Sequence, residues 1–258
     1  MQEKYIEILS KLIETQKKIQ NVHKIYRNYY PVTIVSDNTF HIYDIQSEQI
    51  RYEYVKSEPC PFLIPSGVRA AFPLECYGDK MSAIVSDEVF DTQEGYVEIL
   101  HEFVHCAQFT ETELELRDQL TIAQEYREKN DYMWEITHPF PYDNQSFADL
   151  YTQYMDSLLQ YDYSKAINLR QQFKSVLGKI DREYLLWQEW KEGFARFLEN
   201  KIRNLLNINE NHFGNKTPYN RVSFYESGSH FISLIEQVNP NSIDDMRGLF
   251  YEMRKYIF

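Results

Sequence analysis

The chain has 258 residues, 43% hydrophobic and 26% charged, which suits one large domain or two closely packed subdomains. A net charge of −12 repels phosphate backbones and argues against a nucleic-acid partner. No stretch approaches the roughly 18–20 apolar residues of a membrane span, and the amino-terminal residues lack the apolar run of a signal peptide, so the expected location is cytoplasmic.

Tyr5, Ile6, Leu9, Leu12, Ile13, Ile19 and Val22 recur near helical spacing and predict an amphipathic helix over residues 1–29. After Pro31 the pattern alternates. Residues 32–37 and 39–45, split by Asp37-Asn38, predict a β-hairpin, and residues 51–55 a third strand. Prolines and glycines across residues 56–80 predict loop, and residues 81–87 read as a short strand. From residue 92 the pattern is helical, with helices expected over 92–109, 112–130, 144–160, 163–177, 181–206, 218–238 and 241–256. The aromatic, proline-bearing connector 131–144 is either a packed crossing or a pocket wall, and 207–220 is a polar loop; both are candidate specificity elements. Only 8 glycines and 9 prolines reinforce the helical bias, and 21 tyrosines with 16 phenylalanines predict an aromatic core. The three cysteines, Cys60, Cys76 and Cys106, give no disulfide framework, and Cys60–Cys76 is the one pair worth testing.

Residues 96–109, YVEILHEFVHCAQF, contain H-E-x-x-H. Two histidines four apart on a helix differ by about 40° in direction, so His101 and His105 leave the same face and can grip one ion. Neutral imidazole ligates zinc at about 2.0–2.1 Å. Glu102, about 100° round, does not ligate but sits beside the metal, placed to take a proton from water and pass it to a leaving amine. The alternative is a helix with two surface histidines and a solvated glutamate, which the apolar neighbours Ile99, Leu100, Phe103 and Val104 weigh against. A catalytic zinc needs a third protein ligand and an open position. His105 is followed by Cys106, Ala107 and Gln108, with no third histidine at the short spacing, so a glutamate from a later helix is expected. Glu183, Glu189, Glu192 and Glu199 are the candidates.

WQEWKEGFARFLEN (187–200) resembles the W-x-x-E-G-[FL]-A-x-[YF]-x-E segment of gluzincin peptidases, including the aminopeptidase N group. The resemblance implies Glu192 as the third zinc ligand. Small Gly193 and Ala195 are expected to let this helix pack tightly against that of His101 and His105. SFYESGSHFISLI (223–235) resembles the family's Y-E-x-G-x-x-[FVL] helix start, which implies Tyr225 as the hydroxyl that stabilises an oxyanion. The resemblance covers three short segments, and there is no G-x-M-E-N, so endopeptidase and aminopeptidase action both stay open. In related gluzincins an edge strand ahead of the zinc helix pairs with extended substrate, a place that residues 81–87 are expected to fill. Glu98 and Glu199 are candidates to orient the histidine rings. Cys106, His23, His41, His138, His212 and His230 read as structural.

The expected fold is α+β and mostly α-helical, zincin-like, with the zinc site in the cleft between two parts. Residues 1–110 supply a helix, a small antiparallel sheet and the H-E-x-x-H helix; residues 111–258 supply helices and the third ligand. The expected function is a zinc metallopeptidase with a single Zn2+ per chain, acting on a peptide or protein. The alternatives are a zinc hydrolase for a non-peptide substrate and a non-catalytic zinc-containing regulatory or binding protein.

Overall fold

A computed structural model describes residues 2–45 and 49–258. The fold is α+β and mostly helical, a five-stranded mixed sheet followed by helices. The chain divides into two compact units, one comprising the described residues up to Glu111 with Leu198–Glu210, the other Thr112–Phe197 with Asn211–Phe258. Among the described residues no helix is long and apolar enough to cross a membrane.

The first unit opens with α1 (Gln2–Ile19), which buries Tyr5, Leu9, Leu12 and Ile13 as the periodicity predicts. It stops ten residues short of the expected end. His23 accepts from the Ile25 amide through Nδ1 at 3.3 Å and starts a 3₁₀ turn at Lys24–Arg27, a local side-chain bond that competes with helix propagation. Strands β1 (Val32–Ser36) and β2 (Thr39–Ile45) form the predicted hairpin. Asp37 and Asn38 carry it with φ of 49° and 54°, the left-handed pair that a two-residue turn of right-handed twist requires. β3 (Tyr52–Pro59), β4 (Arg69–Leu74) and β5 (Lys80–Ser86) complete the order β3-β2-β1-β5-β4. One pair, β1 with β5, is parallel, so the sheet is mixed and not the antiparallel one expected.

Two expectations change here. β4 lies inside the segment read as loop, and β5 is an inner strand, so the sheet edge ahead of the H-E-x-x-H helix is β4 and not residues 81–87. The burial explains both. Residues 81–86 of β5 are continuously buried, as a strand with neighbours on both sides must be. β4 is half-buried and contains Pro73, a residue tolerated at an edge because no inner neighbour needs its missing N–H. Cys60 and Cys76 both pack on the cluster of Phe40, Ile42, Leu74 and Ile84, yet all three cysteines are free thiols.

Helix α2 (Gln93–Gln108) lies on β4 and β5. Thr92 caps it by accepting from the Gly95 amide at 3.2 Å. Gly95 is obligatory, since an added Cβ would stand 1.6 Å from the Val89 carbonyl oxygen. Val97, Leu100, Phe103, Val104 and Ala107 are fully buried, and they fix the rotation of the helix about its axis.

The second unit contains α3 (Leu114–Asp118), α4 (Thr121–Glu128), α5 (Trp134–Thr137), α6 (Gln145–Leu159), α7 (Tyr163–Val176), α9 (Arg221–Val238) and α10 (Met246–Lys255). Helix α8 (Lys179–Leu205) is continuous through both units, whose boundary falls between Phe197 and Leu198. The helix predicted over 112–130 is broken at Leu120, which is extended at φ −88° and ψ 130°. Glu183 of α8 then accepts from the freed Ile122 amide at 2.8 Å. The connector 131–144 is a packed crossing: Trp134 lies 5.8 Å from Trp187 and Phe140 5.0 Å from Phe224 between ring centroids. Its Tyr132, Met133 and Ile136 are exposed.

Candidate metal centre

On α2, His101 and His105 emerge one turn apart, the first partly and the second almost wholly buried. His101 Nδ1 lies 2.9 Å from Glu199 Oε2, and His105 Nδ1 lies 2.9 Å from Gln108 Oε1. Both partners are acceptors, so each Nδ1 is placed to donate, which in a neutral ring leaves the lone pair on Nε2. The two Nε2 atoms face one another at 3.2 Å. Two lone pairs held that close repel unless a cation lies between them. Tetrahedral zinc with bonds of about 2.0–2.1 Å puts its ligand atoms about 3.3 Å apart. The histidine pair therefore fits the ion.

Glu102 is buried at 6% exposure. Burial, with the Glu102 charge behind it, pushes the Cys106 thiol well above its usual range, so Cys106 stays a neutral packing residue, as the sequence suggested. Of the two glutamates proposed to orient the rings, Glu199 does so. Glu98 instead accepts from Arg69 Nε at 2.7 Å and ties α2 to the edge strand β4. Glu199 is itself held by Arg203 Nε at 2.7 Å, one turn further along α8.

The four candidate third ligands now separate. Glu183 caps α4. Glu189 is fully buried, paired with Arg170 and bonded by Ser227 Oγ at 2.7 Å; burial raises its carboxyl pKa against the pull of Arg170. Glu199 is occupied by His101 and Arg203. Glu192 has Arg221 Nη1 4.0 Å from its Oε1 and stands seven residues before Glu199 on the unbroken helix α8. That spacing is about two turns, with the two side chains only about 20° apart in direction.

In the second unit Glu192 and Tyr225 share a neighbour. Arg221, in the first turn of α9, has Nη1 4.0 Å from Glu192 Oε1 and its guanidinium 5.4 Å from the Tyr225 ring centroid. Burial alone would lower the Arg221 pKa, but Tyr225 and Glu192 raise it above its ordinary value. Arg196 stands on the same ring at 5.9 Å. The approach of α8 to α9 makes this arrangement. A Cβ on Gly193 would lie 2.6 Å from Gly228 Cα, and one on Gly228 would lie 2.3 Å from the Glu189 carbonyl oxygen. The small residue of the E-G-F-A segment thus admits the glycine of the Y-E-x-G segment.

Sequence reasoning missed Gln108, Arg203 and Arg221. The first two carry a signal, at i+3 from His105 and i+4 from Glu199; Arg221 carries none that singles it out. Among the remaining histidines, His138 Nε2 contacts Asp181 at 2.9 Å and His41 Nδ1 contacts Ser57 at 2.7 Å. His212 and His230 converge on Glu226 at 2.8 and 3.0 Å. Comparison with known proteins found no family model, curated protein or solved structure that matches the chain.

Proposed function

We propose that the chain is a zinc-dependent metallopeptidase of the gluzincin type, with His101, His105 and Glu192 each offering one ligand atom to a single Zn2+. The observation that carries this reading is the pair of facing Nε2 atoms at 3.2 Å, each ring locked by an acceptor on its Nδ1. Three protein ligands would leave the fourth tetrahedral position to water, which separates a catalytic from a structural zinc.

Zinc, when bound, supplies Lewis acidity that polarises a scissile carbonyl and makes water a nucleophile near neutral pH. Glu102, buried beside His101, takes the proton from the attacking water and delivers it to the departing amine. The Tyr225 hydroxyl donates to the oxyanion that forms at the attacked carbonyl. Glu199 and Gln108 hold the imidazoles in the tautomer that leaves Nε2 for the metal. β4 ends the sheet and lies against α2, so its outer backbone edge suits an extended peptide added as a further strand. Substrate bound through main-chain bonds would be read only weakly by sequence.

Zinc analysis of the purified protein beside Glu192→Ala and Glu102→Gln, with peptide-library cleavage on the same samples, tests the reading. One zinc at this site, weakened by Glu192→Ala and retained by Glu102→Gln while cleavage vanishes, is the expected result. Unchanged zinc in Glu192→Ala moves the third ligand elsewhere. Zinc that His101→Ala does not diminish overturns the centre.

A further inference from the structure

The second unit holds another set of donors, separate from His101 and His105. Glu226 and His230 stand one turn apart on α9, and His212 comes from the polar loop before it. Each offers one ligand atom, and these atoms all lie within 4.8 Å of one another. We propose that His212, Glu226 and His230 form a second binding site for a divalent transition-metal ion of the zinc class, which fastens the loop to α9.

His212 Nδ1 and His230 Nε2 point at one and the same oxygen, Glu226 Oε1, at 2.8 and 3.0 Å. The rings are parallel, 4° between planes with centroids 5.9 Å apart. The Glu226 carboxylate is fully buried, and its Oε2 accepts no hydrogen bond among the described residues. Arg196 Nη1 lies 3.8 Å from that oxygen. The buried carboxylate is met by the Arg196 guanidinium at ion-pair distance, and imidazoles in their neutral form add dipoles but no further charge. A divalent ion in place of the two imidazole protons would bring that charge. The two histidine-to-carboxylate distances need only a small outward adjustment to reach the spacing of about 3.3 Å between tetrahedral ligand atoms.

The loop is already set for this. Arg196 Nη1 donates to the carbonyl oxygens of Asn211 and Phe213 at 3.1 and 3.4 Å, so the backbone is held on both sides of His212. Two imidazoles and one carboxylate suit zinc, nickel, cobalt or ferrous ions better than calcium or magnesium, which prefer all-oxygen ligands. The proposal stands whether or not the H-E-x-x-H centre is a peptidase.

The test is metal binding to the whole chain after chelator stripping, by equilibrium dialysis with zinc and by visible absorption with cobalt. The protein is compared with His212→Ala, His230→Ala and His101→Ala. His212 is a loop side chain at 42% exposure, so its replacement spares the core, and circular dichroism confirms that fold is kept. The expected result is one equivalent fewer, or at least tenfold weaker binding of one equivalent, in His212→Ala and His230→Ala. His101→Ala should leave that equivalent in place. Binding curves of His212→Ala and His230→Ala that superimpose on the parent overturn the site. A parent with a single equivalent, lost in His212→Ala and kept in His101→Ala, supports this site while refuting the centre on α2.

Discussion

Glu199 holds His101 from a distance of 98 residues in sequence, accepting its Nδ1 proton at 2.9 Å, and is itself gripped by Arg203 at 2.7 Å. A carboxylate in that position fixes the ring's tautomer and raises the basicity of Nε2. The guanidinium in turn keeps the carboxylate aimed. Glu199→Ala is expected to weaken zinc binding by about 10- to 100-fold. Glu199→Gln, which keeps an acceptor but drops the charge, should fall between the variant and the parent. Competition against a chelator of known affinity reads both, and equal affinities across the three proteins would remove Glu199 from the metal centre.

Gly193 and Gly228 make a second kind of claim, about packing. Their backbones touch where α8 meets α9, so Gly193→Ala forces the helices apart. Overpacking of this kind costs typically about 1–3 kcal/mol. Urea denaturation should show the midpoint falling with little change in slope. Gly228→Ala should do the same, and the double variant should lose less than the sum, because the first methyl has already opened the contact. Strict additivity would show that the two glycines do not share one contact.

Much of the fold and part of the site were legible in the chain. Long periodic helices, the Asp37-Asn38 hairpin and the H-E-x-x-H helix each rest on local rules, and the structure follows them. What was not legible depends on partners distant in sequence. In the sequence β4 reads as loop because Pro73 and its neighbours are loop-like until an inner strand lies beside them. β5 reads as an edge because seven residues cannot announce whether one neighbour or two will pair with them. That Glu183, Glu189 and Glu199 hold Ile122, Arg170 and His101 was not legible either, because a glutamate's partner on another element leaves no local mark in the sequence. Gly193 is a close-packing residue, but the helix it meets is α9, through Gly228 35 residues away, and not the helix of His101 and His105 that the sequence reading expects.

The aromatic core makes stability sensitive to alkali. Burial pushes the phenols of Tyr30 and Tyr43 up to about 12, and those of Tyr26, Tyr52, Tyr151 and Tyr154 well above the ordinary value of 10.0. Their folded pKa values exceed the unfolded ones, so the stability they lend is complete below pH 10 and is lost as pH rises. Above that pH the unfolded chain releases phenolic protons that the folded chain retains. The slope is at most about 1.4 kcal/mol per pH unit for each such tyrosine. Thermal melts should be flat in this respect at pH 8–9 and fall steeply from about pH 10 to 12. A flat melting temperature through that window would mean that these hydroxyls reach solvent.

Tyr225 offers the sharpest separation of chemistry from binding. Its ring lies under Arg221 and close to Arg196, with Arg221 also turned towards Glu192. A hydroxyl that serves the oxyanion acts only as the tetrahedral species forms, so its loss should appear in kcat and not in substrate affinity. Tyr225→Phe keeps the ring, and with it both guanidinium contacts, while removing the one atom at issue. The expected outcome is a fall in kcat of about 10²- to 10³-fold with KM and zinc content close to the parent's. Arg221→Met should differ in kind, disturbing Glu192 and Tyr225 together and lowering zinc affinity as well as rate. Full activity in Tyr225→Phe would return this tyrosine to packing, and the oxyanion would then need another donor.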